Sequence, residues 1–518
     1  MINFTIQEHQ QASIRPLNSL FIRIKIALIS GVFLLFSIML PAQQPGAPVP
    51  DQPTVIPGSS TLPGQLAPMG PQPVLAVSAV APGIAPLPPS ILPGAAQMDL
   101  YLPLLKGKSV AVFANQTSTV GNTHLVDTLL KRGIHIIKIF SPEHGFRGDA
   151  DAGEHVTSLA DPKTGIPIIS LYGSKDQPSA ADLQDVDMML FDIQDVGVRF
   201  YTYISSLQKY LESAIVNHRP VIVLDRPNPN GYYVDGPVLD PAFKSFVGMQ
   251  AVPVVYGMTI GEYGRMLVGE RWLDTTTHTG AGSTNRVQPS PTVASSNGAP
   301  QAPTVAFSNS VQQPPNTVPS NGAPQSPNTA SSKGALQPGF QLIVIPCRNY
   351  THQSRYALPV PPSPNLPNMQ SVYLYPSLCF FEGTAISLGR GTDKPFQQYG
   401  HPSFPEKTYQ FLPQSVPGAK NPPLLNQTCY GYDLSGIDVA KETGNRLSLQ
   451  WLLNAYRIFP DKDHFFLGEG KFFNKLAGSD HLQQQLKEGK TEAAIRQSWE
   501  PALTHFKTIR KKYLLYAD

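Results

Sequence analysis

At 518 residues the chain is too long for one ordinary domain, and a formal net charge of +3 without a basic, aromatic-interleaved run gives nucleic-acid binding no footing. The 53 prolines are about twice the usual share, and many of them fall in two stretches, residues 43–97 and 275–338. Cys347, Cys379 and Cys429 form no C-x-x-C pair, which excludes a zinc or disulfide scaffold and leaves them as small buried apolar residues.

Residues 1–42 read as an export signal or an N-terminal anchor. Arg23 and Lys25 precede an apolar run over 26–40, and Ala42 follows it. That run fits a signal-peptide core of about 7–15 residues better than the ~20 needed to span a bilayer. The flank is no clean small-x-small cleavage pattern, so a membrane tether through residues 21–40 stays open beside cleavage. On either reading the chain is exported, to a periplasmic or extracellular location. Residues 43–97 then form a spacer expected to be disordered, because such Pro-rich sequence buries too little apolar surface to offset ordering entropy.

From 98 to 274 strands and helices alternate. Residues 108–115 ("KSVAVFAN"), 134–140 ("IHIIKIF"), 166–173, 186–193 and the run "PVIVLDRP" read as strands. A helix around "HLVDTLLKRG" stops at Gly133, and a second presents Ile204, Leu207, Leu211 and Ile215 on one face. Near-continuous apolar strands separated by helices imply a parallel sheet covered on both faces, an α/β fold. Residues 275–338, with "SNGAPQAP" echoed by "SNGAPQSP", read as a low-complexity insertion. Residues 339–518 read as a smaller α/β domain. It would hold a strand at "FQLIVIPC", a Pro-laden loop entering a short helix, a strand opening "AISLGRGTDKPFQQYG", and a terminal helix bent or restarted at Pro501.

In open parallel sheets ligands bind beyond the carboxyl ends of the strands, and that is where the polar residues gather. Asn115, then Glu143 to Glu154, then Tyr172, then Asp192 to Tyr203, then Asp225 to Asn228 each follow a strand. No G-x-G-x-x-G follows the first strand, no G-x-S-x-G occurs, and "GRGTDKP" lacks the P-loop's ending, so dinucleotide, serine-hydrolase and NTPase chemistry find no motif. Glu143 and His144, with Asp151 and His155 nearby, lack the H-E-x-x-H spacing, and no metal site or cofactor is expected. Two readings of Glu143 remain, acid/base catalysis and loop-stapling carboxylate. Asp192 and Asp195, with Arg199, Tyr201 and Tyr203, add a second carboxylate group of the kind glycosidic cleavage uses, with tyrosine faces for a sugar ring. Asp195 with Arg199 reads equally as a structural pair.

The motifs "SPEHGFRG", "DAGE", "TGIPIISLYG", "FDIQDVGVRFYTYI", "LDRPNPNG", "PPSPNLPN", "FEGTAISLGRGTDKPF" and "KLAGSD" together resemble the NamZ-type exo-β-N-acetylmuramidases. The resemblance spans residues 108–516, interrupted by the second Pro-rich stretch. It implies a Rossmann-like domain without a dinucleotide, a smaller second domain, and an active site in the cleft between them. It also implies release of N-acetylmuramic acid from non-reducing ends of peptidoglycan fragments, muropeptides or disaccharides, in cell-wall turnover or recycling. The glutamate of the S-P-E-H-G motif, taken there as catalytic, falls on Glu143. His144 is placed beside it as an orienting group, Glu154 as a reserve acid/base, and Asp192 as a further catalytic carboxylate. Asn115, Arg147, Tyr172, Asp195, Arg199, Tyr201, Tyr203, Asp225, Asn228 and Arg390 are expected to contact substrate. Muramic acid differs from glucosamine by a lactyl carboxylate, so a cation must meet it; Arg199 is favoured, then Arg147, while Arg226 is expected to be held by Asp225. A non-catalytic, sugar-binding exported protein is the rival from another class.

Overall fold

The computed structural model describes residues 90–143, 145–147, 159–276 and 340–518. The expected signal or anchor and nearly all of both proline-rich stretches lie outside the described residues. Residues 90–97, read as the end of the first spacer, are instead packed: Ala95 is buried, and Gly94 donates to the Asp225 carbonyl at 2.8 Å. A Cβ at Gly94 would stand 2.3 Å from the Ile345 carbonyl oxygen, so only glycine allows that approach.

Six strands run parallel: β1 (Ser109–Ala114), β2 (His135–Ser141), β3 (Pro167–Ser170), β4 (Met188–Asp192), β5 (Val221–Leu224) and β6 (Leu342–Ile345). They lie in the order β6-β5-β4-β1-β2-β3, and Leu159–Ala160 adds an antiparallel edge beside β3. The strand order reverses between β1 and β4, which makes that junction the topological switch point. The strand expected at the head of the C-terminal region thus serves as β6, in register with β5 from Leu342 opposite Val221 to Ile345 opposite Leu224. Its apolar run suits the edge of a covered sheet, and no local signal fixes which sheet it joins.

Alternation along each strand feeds two cores. Phe113 and Phe191 point to one face, where their rings stack at 4.9 Å and Tyr210 from helix α2 (Tyr203–Val216) meets Phe113 edge-on at 5.2 Å. Val112, Leu190 and Ile222 point to the other, against Leu125 and Leu129 of α1 (Leu125–Lys131). Burial of a side chain of this size contributes about 1.5–3 kcal/mol, so the doubly covered strands dominate the stability of this half.

Helix α3 (Ile260–Gly269) opens with a capping box between Thr259 and Glu262. In the C-terminal region α4 (Met369–Leu378) follows the Pro-laden loop as expected, capped by Asn368. The strand expected at the start of "AISLGRGTDKPFQQYG" falls at its end, over Gln398–His401, in a three-stranded antiparallel sheet. Gly389 (φ +76°) and Gly391 (φ +80°) turn the chain before it, and Ser387 makes only an isolated bridge to Gly400. After α5 (Lys471–Ala477), α6 (Glu492–Arg510) runs unbroken through Pro501 and buries Ile495, Trp499, Leu503 and Phe506. All three cysteines are free and buried.

Candidate active site

Because β1 to β5 are parallel, their carboxyl ends share one edge. Asn115 follows β1, Glu143 and Tyr172 follow β2 and β3, Asp192 ends β4, and Asp225 follows β5. Glu143 and Tyr172 are half-buried and form an open group with the buried Asn115 and Tyr203 behind them, while Asp192 and Asp225 belong to a buried one.

The open group centres on Glu143, half-buried on the turn beyond β2. Tyr172, also half-buried, donates a hydrogen bond to its carboxylate, and burial together with that negative charge pushes the Tyr172 hydroxyl well above its ordinary range. Tyr203, at the start of α2, is raised in the same direction, first by burial and with a contribution from Glu143. Its hydroxyl accepts from Asn115 Nδ2 at 2.8 Å. Asn115 is itself fixed: its Oδ1 accepts from the Thr117 backbone N–H at 2.9 Å and from Thr117 Oγ1 at 2.6 Å. Tyr201 meets the Tyr203 ring edge-on at 4.8 Å and donates to the Pro362 carbonyl at 2.8 Å, while Gln116 Nε2 donates to the same carbonyl at 3.2 Å. The "PPSPNLPN" segment is thereby laid across the ends of β1 and β4.

Arg147 lies beside this group with its side chain about one-third exposed and its guanidinium over the Phe146 ring at 4.6 Å. Its Nη2 donates to both oxygens of Asp161, at 2.9 and 3.0 Å. Burial opposes ionisation of Asp161, but the Thr164 hydroxyl and Arg147 outweigh it and hold that carboxyl below its usual range. Arg390 is bound through Nε to Glu382 at 2.8 Å and lies over Phe396 at 4.9 Å. Phe396 touches Tyr375, and Tyr375 meets Tyr201 at 5.7 Å between ring centroids. Arg390 therefore belongs to the wall behind Tyr201.

The buried group is spent on internal bonds. Asp192 takes Arg226 Nε on one oxygen at 2.6 Å and Nη2 on the other at 2.8 Å. The holder of Arg226 is thus Asp192, not Asp225. Asp225 instead accepts from the Arg226 and Gly261 backbone N–H groups at 3.0 and 2.8 Å, from Thr259 Oγ1 at 2.7 Å and from Tyr516 Oη at 2.5 Å. Asp195 accepts from the Gly197 N–H at 2.6 Å and from the Tyr256 hydroxyl. Burial raises the carboxyls of both Asp195 and Asp225 to about 7 against the pull of these donors. Asn228 closes a turn, accepting from the Asn230 N–H and donating to the Met258 carbonyl, each at 2.8 Å.

Arg199, favoured as the reader of the lactyl carboxylate, does not reach the rim. It is fully buried and pairs with no carboxylate among the described residues; Asp195 is not its partner. Its Nη1 donates to the Pro237 and Val252 carbonyls at 2.8 Å each, and Nη2 to the Leu476 carbonyl at 2.7 Å, near the end of α5. Burial pulls the guanidinium down to about 9, and the carbonyl end of a helix is a favourable seat for a cation. Gly478 in "KLAGSD" sits at φ +85°, where a Cβ would stand 2.8 Å from Nη2. The motif glycine is explained by that contact.

His144 and Glu154, with Asp151 and His155, lie outside the described residues. Two contributors escaped the reading of the sequence: the Pro362 carbonyl, 161 residues from Tyr201, and Arg226 as partner of Asp192 across 34 residues. The recurrence of prolines in "PPSPNLPN" marks a stiff loop, and backbone carbonyls carry no further signal.

Residues 110–293 match the family model described as exo-β-N-acetylmuramidase NamZ, N-terminal, and residues 373–516 its C-terminal counterpart. The peptidoglycan β-N-acetylmuramidase NamZ of Bacillus subtilis (strain 168) is 33% identical over 438 residues, covering 80% of this chain and 89% of that protein. A crystal structure of a DUF1343 family protein from Bacteroides fragilis NCTC 9343 is 40% identical, with a TM-score of 0.66 over 83% of this chain and 100% of its own. A second such protein from the same organism, 22% identical with a TM-score of 0.60, shares the fold over 82% of this chain and 99% of its own.

Proposed function

The chain belongs to the exo-β-N-acetylmuramidase NamZ family and is a glycosidase acting on peptidoglycan, and from that premise we propose that Glu143 is its general acid/base. The observation that carries the assignment is the position of Glu143: a half-buried carboxylate beyond β2, oriented by the Tyr172 hydroxyl, with Tyr203 and Asn115 at the neighbouring strand end. A protonated Glu143 would donate to the glycosidic oxygen as the bond to the anomeric carbon breaks, and the resulting carboxylate would take a proton from the attacking water. Tyr172 restricts rotation of the carboxylate. Tyr201 and Tyr203 are buried with their hydroxyls donating to the Pro362 carbonyl, so they brace the "PPSPNLPN" loop as a wall of the site.

The substrate we infer is a short peptidoglycan fragment with N-acetylmuramic acid at its non-reducing end, held in a cleft between the parallel-sheet region and the C-terminal region. With Arg199 buried, Arg147 is the arginine best placed to meet the lactyl carboxylate, since among the described residues Asp161 engages only its Nη2. Export, by cleavage or with a tether at residues 21–40, follows from where such substrate is found, and recycling of wall fragments is the role that fits a one-sugar-at-a-time enzyme. The test is hydrolysis of a chromogenic β-N-acetylmuramide and of the MurNAc-GlcNAc disaccharide by purified protein, with anomeric analysis of the first product. Saccharide binding without hydrolysis would return the protein to a binding role.

A further inference from the structure

Outside the Glu143 group, the described residues form an open surface cavity of about 430 Å³ between the loop "GRGTDKP" and residues 409–416. Its size falls within the range of about 300–1,000 Å³ typical of small-molecule sites. Thr392, Asp393 and Lys394 line one side, and Tyr409, Phe411 and Gln414 the other. The walls are held in place by their own bonds. Gln398 Nε2 donates to Thr392 Oγ1 at 2.7 Å, Tyr409 Oη donates to Gln398 Oε1 at 2.5 Å, and Lys394 is paired with Asp433 at 2.6 Å. Gly391 cannot be replaced without collision, because its Cβ would lie 2.4 Å from the Gln414 carbonyl oxygen.

The chain beside this cavity is bonded to the loop that carries Pro362. The Gln414 N–H donates to the Gly391 carbonyl at 2.9 Å, closing the loop against residues 409–416. A little further on, the Gly418 carbonyl accepts from Asn365 Nδ2 at 2.9 Å, in the same loop whose Pro362 carbonyl receives Tyr201. The lining suits a sugar: half-buried tyrosine and phenylalanine rings for the apolar face of a pyranose, with the Asp393 carboxylate and the Gln410 and Gln414 amides for its hydroxyls. The one lysine is neutralised by Asp433, so the wall makes no strong demand for an anion.

We propose that this cavity is a saccharide subsite for the sugars on the leaving side of the scissile bond. The inference rests on the exo-acting reading above, under which a single residue occupies the near side of the bond and all remaining sugars extend beyond it. A second sugar-binding cavity then has only the leaving portion to hold.

The experiment compares kcat/KM for an aryl β-N-acetylmuramide, the MurNAc-GlcNAc disaccharide and the peptide-free tetrasaccharide, in the full chain and in Tyr409→Ala and Asp393→Ala variants. Asp393 is exposed, so its variant guards against misfolding at Tyr409. The expected result is a rise of about tenfold from disaccharide to tetrasaccharide in the unmodified protein, the scale of one good polar or ring contact. Either substitution should abolish that rise and leave the aryl muramide unchanged. Chain-length independence, or equal losses on all three substrates, would overturn the saccharide subsite. Failure of the unmodified protein to cleave the aryl muramide would count instead against the Glu143 reading.

Discussion

The strand ends on the two sides of the switch point carry the same kinds of residue and put them to opposite uses. Beyond β2 and β3, Glu143, Arg147 and Tyr172 are partly exposed, and their bonds leave faces turned outward. Beyond β4 and β5, Asp192, Asp195, Asp225 and Arg226 are buried, and Arg199 further along is wholly so. A carboxylate half in water can exchange a proton with a substrate. One enclosed by a bidentate arginine or by four internal donors cannot reach one. The difference shows that a polar residue at a strand end marks the edge of the crevice without saying which side of the wall it serves.

The largest effect should come from breaking the buried side. Removing one partner of a buried ion pair leaves an uncompensated charge and costs about 3–5 kcal/mol, so Asp192→Ala or Arg226→Met should lower stability by that order in urea melts. A cost near zero would place Asp192 among the accessible groups. Next comes Arg199→Met, which removes the side-chain donors to the Pro237 and Leu476 carbonyls, while the Val252 carbonyl keeps its bond from the Leu239 N–H. Each unsatisfied buried group costs about 1–3 kcal/mol, and the melting temperature should fall while turnover per folded molecule holds. A collapse of muramide selectivity at unchanged stability would reverse the comparison.

A smaller and purely kinetic effect is expected on the open side. Arg147→Met should raise KM for muramides by about tenfold, from the loss of a charge-assisted bond, and narrow the gap to glucosaminides. Equal changes on both sugars would assign Arg147 to holding Asp161.

A further effect is read only as a pH dependence. Burial raises Asp195 to about 7 from an ordinary carboxylate value of about 3.9. The folded chain therefore binds this proton more tightly than the unfolded one, so its contribution to stability is complete below about pH 4 and is lost as pH rises through about 7. Asp195→Asn keeps an oxygen for Gly197 and Tyr256 but cannot ionise. Its melting temperature relative to the unmodified chain should climb between those limits, and parallel curves would remove Asp195 as the cause.

Much of the framework was legible because it is written in local patterns. Apolar runs placed the strands β1 to β5, and the i, i+3, i+7 spacing of Ile204, Leu207 and Leu211 placed α2. Glu143, Tyr172, Asn115 and Tyr203 were legible as a group because each follows a strand. What stayed hidden depends on distance in the chain. The bidentate hold of Arg226 on Asp192 spans 34 residues, Arg199 reaches Leu476 across 277, and β6 joins the sheet only after the long insertion. A buried arginine satisfied by carbonyls leaves no complementary acid to find in the sequence, so Arg199 resembled a substrate reader. The glycine turn at Gly389 and Gly391 displaced the strand to Gln398–His401, because positive φ at both positions ends an extended run.

The division of labour is tested most directly by turnover and melting temperature measured on Glu143→Gln and Asp192→Asn side by side. Glu143→Gln should melt with the unmodified chain and lose about 10²–10⁴-fold in turnover on a chromogenic β-N-acetylmuramide. Asp192→Asn should melt earlier, while its folded fraction stays active. A Glu143→Gln enzyme with near-normal turnover, or an Asp192→Asn enzyme that is stable and inactive, would contradict the account.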